Sequence, residues 1–195
     1  MHYVSDYDIG LDYKSDGLYM DSNGHCPIGH KYYRQNQERL AHAQRKLKHK
    51  ITGSNNYRKQ QHRIAGIQKH TVNQRMDFLH KESTKIANSY DIVCVESLDM
   101  KAMSNKGFGN GKATMDNGYG LFLSMLEYKL ADRGKYFVKV DKWYPSSQLC
   151  SCCGRQKKLT LADRIYRCDC GLTINRDYNA AINIKNEGLR LLKSA

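Results

Sequence analysis

The amino-acid sequence predicts an α/β domain, in which short strands alternate with amphipathic helices around one core. The opening stretch YDIGLDYKSDGLYMDSNG predicts two strands joined by a tight turn at residues 15–17. DIVCVES is a continuous apolar run, typical of a strand buried on both faces. Between residues 31 and 90, apolar residues recur at helical spacing on both sides of GSNN, which predicts an antiparallel helical hairpin. A chain of 195 residues, 40% of them hydrophobic, is long enough for one such domain.

The later elements follow in order along the chain. SNKGFGNGKATMDNGYG is rich in Gly and Asn and predicts a mobile loop, serving as a lid or a linker. LFLSMLEYKLADRG predicts a helix with Leu121 on its apolar face and Gly134 at its C-cap, and KYFVKVDKW alternates like a strand. Apolar residues at helical spacing over 177–192 predict a final helix. Asp177 then lies in its first turn, where a carboxylate suits the positive end of the helix dipole.

Positive charge is concentrated in the predicted helical hairpin, residues 31–90. The whole chain carries a formal charge of +13, and this hairpin, with 14 Lys or Arg and three acids, accounts for +11. A solvated helix face is one interpretation, but the tyrosines and histidines among the basic residues favour a nucleic-acid surface. Clustered Lys and Arg release counterions from phosphate backbones, so the sequence predicts a nucleic-acid partner. The residues expected to bind it are Arg45, Lys46, Lys48, Lys50, Arg58, Lys59 and Arg63.

No apolar run approaches the length of roughly 20 residues that a membrane-spanning helix requires. The polar N-terminus also lacks the apolar core of a signal peptide. We therefore expect a cytoplasmic protein without a membrane partner.

Seven cysteines are present, an odd number, and their spacing suits metal ligation in a reducing compartment better than a disulfide framework. A C-x2-C knuckle is followed after fourteen residues by C-x-C, which offers four thiolates for a tetrahedral structural zinc with no open position. The second knuckle is one residue shorter than usual, and Cys152 is a competing ligand. The predicted zinc ligands are Cys150, Cys153, Cys168 and Cys170.

Three carboxylates stand at the ends of predicted elements: Asp12 at the first strand, Glu96 at the apolar strand and Asp177 at the final helix. If these elements share one sheet, the three acids converge. Three close carboxylates repel one another unless divalent cations lie between them, and Mg²⁺ prefers oxygen ligands. Two such ions can clamp the attacking and leaving oxygens of a phosphodiester. Each acid also has a simpler interpretation, as a turn residue, a surface charge and a helix cap respectively.

These motifs, in this order, resemble the TnpB/OrfB family of insertion-sequence proteins, the transposon-borne relatives of type V CRISPR nucleases. GLDYKSDGLYMDS, VCVESLDMKAM and NRDYNAAINI are similar to the three RuvC motifs of that family. DKWYPSSQLCSCCG and YRCDCGLTINRD are similar to its zinc-binding insert, and QRMDFLHK is typical of its basic hairpin. The resemblance extends over nearly the whole chain.

The resemblance implies an RNase H-like (RuvC) nuclease domain over residues 1–195, with a mixed sheet flanked by helices. It places a basic helical hairpin insertion at 31–90 and a small four-cysteine zinc ribbon at 145–175. The implied activity is transposon-associated, RNA-guided DNA cleavage by two Mg²⁺ ions, with DNA and a guide RNA as partners. The implied catalytic residues and magnesium ligands are Asp12, Glu96 and Asp177.

One departure from the family pattern concerns the start of the chain. Family members normally carry a long N-terminal portion that holds the guide RNA and reads the target-adjacent motif, whereas the first RuvC-like motif here lies within the first two dozen residues. We therefore expect a truncated copy, with a poorly supported sheet edge near the Asp12 strand. The alternative function is a nuclease-inactive, zinc-containing nucleic-acid-binding remnant or regulator. Strand transfer is disfavoured, because the 14 tyrosines show no nucleophile arrangement.

Overall fold

The computed structural model describes residues 7–28, 31–103, 116–160 and 162–194. A four-stranded sheet forms the centre, in the order β2-β1-β3-β4. β1, β3 and β4 are parallel to one another, and β2 is antiparallel to β1, so the sheet is mixed, as expected. These strands are β1 (Asp8–Tyr13), β2 (Tyr19–Asp21), β3 (Ile92–Glu96) and β4 (Tyr136–Val140).

The strand that carries Asp12 is an inner strand, which corrects the expected weak sheet edge. β1 pairs with β2 on one side and with β3 on the other. The turn predicted after β1 is present, closed by the Gly17 N–H donating to the Lys14 carbonyl and the Lys14 N–H donating to the Leu18 carbonyl. The short hairpin thus covers β1, and the edge strand on this side of the sheet is β2.

Five helices surround the strands within the described residues, and two of them form the predicted basic hairpin. The second hairpin helix begins where the Ser54 hydroxyl accepts a hydrogen bond from the Tyr57 N–H, an N-cap typical of serine. The two helices are joined by the buried Gln60 amide, which donates to the Ala43 carbonyl at 2.8 Å. The helices are α1 (Tyr32–Lys48), α2 (Asn55–Ser89), α3 (Met100–Met103), α4 (Tyr119–Ala131) and α5 (Arg176–Ser194).

The sheet separates two apolar layers, because side chains alternate between the faces of a strand. One face of β1 and β3 packs with α2 and α4 in the larger core, which includes Leu11, Val95, Leu79 and Phe122. On the other face, the side chains of β3 and β4 form a smaller cluster with Ile184 of α5. DIVCVES is therefore buried from both sides, as its apolar run predicted.

The helix predicted from LFLSMLEYKLADRG is present, but Leu121 does not belong to its buried face. Leu121 is 41% exposed and lies with Tyr128, which is also exposed, on the solvent side of α4. The buried face of α4 instead contains Tyr119, Phe122, Met125, Leu126 and Leu130. Gly134 has a φ of +65° and its N–H donates to the Ala131 carbonyl, so the predicted C-cap is confirmed.

A second, two-stranded sheet lies between β4 and α5 in the chain, where the zinc ribbon was predicted. It consists of β5 (Ile165–Arg167) and β6 (Thr173–Asn175), and β6 leads directly into α5. The predicted mobile loop lies for the most part outside the described residues, and its last two residues belong to α4. None of the described helices is long and apolar enough to cross a membrane.

Candidate active site and cysteine cluster

Asp12 and Glu96 lie level with each other at the carboxyl ends of two neighbouring parallel strands. In the β1–β3 register Leu11 pairs with Val95, so the next residue of each strand is one of the two acids. Gly10 and Cys94, two residues earlier, both face α5. Because side chains alternate along a strand, both acids are also directed to the α5 face. Both are only partly exposed.

The third acid reaches the same end of the sheet because α5 packs unusually close to β1. A Cβ atom at Gly10 would clash with the Ala181 carbonyl and lie 2.7 Å from the Lys185 nitrogen. Only glycine fits there, so the helix backbone rests directly on the strand. Asp177 lies about one turn before Ala181, which places it beyond the end of β1. The cap of α5 is Asn175, whose side-chain oxygen accepts from the Asp177 N–H at 2.9 Å.

The three carboxylates form one electrostatic cluster. The pKa of Asp12 is raised well above its usual range by burial, and then by the negative charges of Glu96 and Asp177. Burial raises the pKa of Glu96 to about 7. Two cations border the cluster, with Lys14 Nζ 3.8 Å and Arg176 Nε 3.5 Å from the Asp177 carboxylate. The structure thus brings the three predicted acids together, although their oxygens are not all within 4.8 Å of one another.

The four predicted cysteines form the most compact group of potential metal ligands among the described residues. Their sulfur atoms all lie within 4.8 Å of one another. Two pairs are 3.6 Å apart, Cys150 with Cys170 and Cys153 with Cys168, so each contact joins the two knuckles. Cys152 is exposed and lies outside the group, which removes it as the competing ligand. The arrangement can hold one tetrahedral metal ion.

The knuckles are built by local turns and one buried tyrosine. The Gly154 N–H donates to the Cys150 carbonyl and the Gly171 N–H to the Cys168 carbonyl, and both glycines have positive φ. The Tyr166 ring is fully buried, and its hydroxyl lies 3.1 and 3.0 Å from the Gln148 and Arg155 carbonyls. Although burial raises the pKa of Cys150, backbone N–H groups of neighbouring cysteines bring it down to about 7. Cys150 is therefore readily deprotonated.

Two buried asparagines connect the first knuckle to α5. The Asn179 amide donates to the Leu149 carbonyl at 2.6 Å and its oxygen accepts from the Ser151 N–H at 3.0 Å. One turn later, Asn183 donates to the Ser146 and Leu149 carbonyls, both at 2.8 Å. Neither residue was predicted from the sequence. The sequence feature that could have indicated them is the i, i+4 spacing of two asparagines on the apolar face of a helix.

The seven basic residues predicted to bind nucleic acid surround the far end of the hairpin, where α1 passes into α2. All of them are exposed except Lys50, which is half-buried. No described acid forms an ion pair with any of the seven. α2 has 35 residues and is therefore about 50 Å long, so this hairpin tip projects far from the Ile86 end that packs in the core.

Comparison with known families gives two matches that together span most of the chain. Residues 9–107 match a family model described as "Probable transposase" (OrfB_IS605). Residues 119–184 match the "Cas12f1-like, TNB domain". The first match includes the strands that carry Asp12 and Glu96. The second includes Asp177 and all four clustered cysteines.

Two curated relatives are named "Putative RNA-guided DNA endonuclease", the second with the addition InsQ. The relative from Streptomyces pristinaespiralis is 37% identical over 182 residues, which is 93% of this chain and 45% of the relative. InsQ from Escherichia coli K12 is 31% identical over 176 residues, which is 82% of this chain and 44% of InsQ. The chain therefore spans less than half the length of these relatives.

Two solved structures share the fold at low sequence identity. One is a chain of a cryo-EM Cas12f1–sgRNA–target DNA complex, with a TM-score of 0.63, 21% identity, and coverage of 95% of this chain and 51% of the other. The second is a chain of a CRISPR–Cas12f ternary complex, with a TM-score of 0.62, 19% identity, and coverage of 94% and 41%. Both support a Cas12f-like fold with a mixed sheet.

Proposed function

Because the chain belongs to the TnpB/OrfB family of insertion-sequence proteins, we propose that it acts as a transposon-associated DNA endonuclease of the RuvC type. The observation that carries this proposal is the electrostatic cluster of Asp12, Glu96 and Asp177 at the carboxyl ends of parallel strands. An antiparallel β1–β2 hairpin followed by parallel strands, with acids on β1 and β3, fits an RNase H-like sheet. The reaction is hydrolysis of phosphodiester bonds in DNA.

The donor set of the acid site fits two Mg²⁺ ions. It contains only carboxylate oxygens, the ligands that Mg²⁺ prefers. Burial and mutual repulsion raise the pKa of Asp12, which is the response of a carboxylate that lacks sufficient positive charge nearby. When bound, Mg²⁺ lowers the pKa of a water molecule and neutralises charge on the phosphate oxygens.

The side chains of the site have different roles in binding the metal ions and the phosphate group. Asp12 and Glu96 must lose their protons to act as ligands, and both are directed to the same face of the sheet. Asp177 approaches from the helix, its N–H and that of Tyr178 held by the Asn175 cap. Lys14 and Arg176 lie against the Asp177 carboxylate and supply positive charge beside the site, where a phosphate group approaches.

We assign a structural zinc ion to Cys150, Cys153, Cys168 and Cys170. Four thiolates fill a tetrahedral site and leave no position for a substrate. The ion would fix two knuckles that are attached to α5, one through the Asn179 and Asn183 amides and the other through β6. Zinc in this position braces the helix that carries Asp177, so its effect on cleavage is indirect.

DNA and a guide RNA are the proposed partners of the hairpin tip. The exposed basic residues there suit phosphate backbones. One of the two solved Cas12f complexes contains sgRNA and target DNA, which favours the same partners for this chain. Replacing Arg58, Lys59 and Arg63 together with alanine should weaken nucleic-acid binding, and the slope of log K against log salt should become shallower by about one for each phosphate that is no longer neutralised. Lys193→Ala, an exposed charge at the end of α5, is the matched control.

A cleavage assay separates the proposed nuclease from a protein that only binds nucleic acid. Labelled single- and double-stranded DNA is incubated with the purified protein in Mg²⁺ or EDTA, with and without its copurifying RNA. We expect cleavage in Mg²⁺ alone, and a stimulation by RNA that carries sequence complementary to the target. Tight binding without cleavage under every condition would leave only the nucleic-acid-binding alternative.

A further inference from the structure

Trp143 is the most exposed large aromatic residue among those that the structure describes. It is 80% exposed, and it is the single tryptophan of the chain. Burying a ring of this size removes roughly 150–250 Å² of surface from water, which is one of the largest contributions that a side chain makes to folding. Trp143 does not make this contribution to the core. Its ring is instead accessible to a binding partner.

A local turn holds Trp143 in this exposed position directly after β4. The Asp141 carboxylate accepts a hydrogen bond from the Trp143 N–H at 2.7 Å, and the Asp141 carbonyl accepts one from the Tyr144 N–H at 3.0 Å. An aspartate that binds the backbone two residues later is a typical turn former. The next side chain, Tyr144, packs against the small cluster that contains Ile184. The chain is therefore fixed on both sides of Trp143.

The turn lies at the same end of the sheet as the acid cluster. β4 pairs with β3 so that Val140 lies opposite Glu96, and the Ser97 N–H donates to the Val140 carbonyl at 2.9 Å. Three residues of chain extend at most about 11 Å and adjacent strands lie about 5 Å apart, so the backbones of Trp143 and Glu96 are no more than about 16 Å apart. About five nucleotides of a stacked DNA strand span that distance. A strand bound at the acid cluster can therefore reach Trp143.

The neighbouring lysine makes this surface suitable for a nucleic acid. The Lys142 ammonium lies over the Trp143 ring, 4.9 Å from its centroid, in a cation–π contact that leaves the opposite face of the exposed ring open. The described part of the chain places no carboxylate within ion-pair distance of this ammonium. An apolar protein surface covering Trp143 would have to remove the ammonium from water, which is unfavourable. A nucleotide offers a base to the ring and a phosphate to the ammonium.

Building on the proposed nuclease function, we infer that Trp143 and Lys142 form a stacking site for one unpaired base of the DNA strand that enters the acid cluster. The indole ring stacks on the base, and the Lys142 ammonium neutralises an adjacent phosphate. Stacking of this kind accepts any base, because every base has a π-face. The site therefore adds affinity and positions the strand without reading its sequence.

The test uses the tryptophan fluorescence of the intact protein, which reports Trp143 alone. After copurifying nucleic acid is removed, the protein is titrated in EDTA with oligo(dT) of a length within the range of about 4–16 nucleotides that single-strand sites cover. An abasic strand of the same length and charge is the control ligand. Affinities of Trp143→Ala, Trp143→Phe and Tyr128→Ala are measured with labelled oligo(dT). Tyr128 is a matched control, because it is an exposed aromatic residue with a lysine 5.9 Å from its ring, on the solvent side of α4.

We expect oligo(dT) to quench the Trp143 fluorescence and the abasic strand to leave it unchanged, because only a base can stack on the ring. Trp143→Ala should weaken oligo(dT) binding by about fivefold or more, Trp143→Phe should weaken it less, and Tyr128→Ala should stay within about twofold of wild type. The thermal midpoint of Trp143→Ala should equal that of the wild type, because the ring is exposed. In Mg²⁺, Trp143→Ala should raise the KM for cleavage more than it lowers kcat.

Unquenched fluorescence at saturating oligo(dT), or wild-type affinity in Trp143→Ala, would overturn the inference. Equal quenching by the abasic strand would also overturn it, because the contact would then involve no base. Quenching by oligo(rU) but not by oligo(dT) would overturn the assignment to DNA. Quenching by oligo(dT) without Mg²⁺-dependent cleavage by the wild-type protein would instead contradict the proposed nuclease function, while the stacking site would remain.

Discussion

The cysteine cluster and the acid cluster are assembled in opposite ways. The four sulfurs lie within 4.8 Å of one another and come from two turns only about 20 residues apart. The three acids come from the beginning, the middle and the end of the chain, and parallel strand pairing and a helix packed on glycine place them at one end of the sheet. The cysteine site is therefore compact because of local structure. The acid site depends on the packing of the whole domain, and its carboxylates repel one another. Helix α5 connects the two sites, because it carries Asp177 and its asparagines contact the first knuckle.

The largest expected effect comes from removing a carboxylate. Asp12→Asn, Glu96→Gln and Asp177→Asn should each reduce Mg²⁺-dependent cleavage by roughly 100-fold or more, because each removes a charged metal ligand. Nucleic-acid binding should remain nearly unchanged, because it rests on the hairpin tip. Asp16→Asn, an exposed acid in the turn after β1, is the control. Retained cleavage in any one of the three variants would remove that residue from the catalytic assignment.

The next effect concerns the cysteine cluster. Cys168→Ser combined with Cys170→Ser should abolish zinc binding, lower the thermal midpoint and reduce cleavage, because the knuckle that leads into α5 is no longer fixed. Elemental analysis measures the zinc, and Cys152→Ser should retain one zinc per chain. A wild-type cleavage rate in the zinc-free double variant would show that the two sites are independent.

Smaller effects are expected where the two sites are joined. Asn179→Ala removes one of the two amide donors to the Leu149 carbonyl and the acceptor of the Ser151 N–H, and should destabilise the protein by about 1–3 kcal/mol. Zinc should remain bound while cleavage decreases, because only Asn183 then anchors α5 to the first knuckle. Asn186→Ala, an exposed asparagine of the same helix, should change neither property. Full activity in Asn179→Ala would show that this contact contributes to stability and not to cleavage.

The smallest effect is a dependence of stability on pH that arises from Glu96 in the acid site. The folded-state pKa of Glu96 is about 7, above its ordinary value, so the folded protein holds this proton more tightly than the unfolded chain. Stability from this group is present below the ordinary value of about 4.5 and is lost as pH rises through 7. In EDTA, the thermal midpoint should fall by a few degrees between pH 5 and pH 8. Glu96→Gln should reduce this fall, and Mg²⁺ should oppose it in the wild type; equal pH dependence in both proteins would contradict the burial of Glu96.

Local patterns predicted most of the elements. The apolar run of β3, the helical hairpin around GSNN and the cap at Gly134 each carry their signal within a few residues. The burial of Leu121 was mispredicted, since helical spacing alone does not fix which of two adjacent apolar rows faces the core. The inner position of β1 could not be inferred either, because strand order depends on packing between distant segments.

For the two sites as well, local sequence patterns were informative and contacts between distant segments could not be predicted. The four cysteines were predicted from their spacing, and the structure resolves the ambiguity over Cys152. Asn179 and Asn183 were not predicted from the sequence. Their contacts are with groups that are distant in sequence, such as the Leu149 carbonyl.

The central claim is that Asp12, Glu96 and Asp177 bind divalent cations together. The most direct measurement is anomalous diffraction from crystals of the protein soaked in Mn²⁺ as a substitute for Mg²⁺. The account predicts anomalous density for one or two ions between these three side chains, within about 2.0–2.3 Å of their oxygens. Density for bound Mn²⁺ that avoids all three carboxylates, or carboxylates that remain apart with no ion between them, would contradict it.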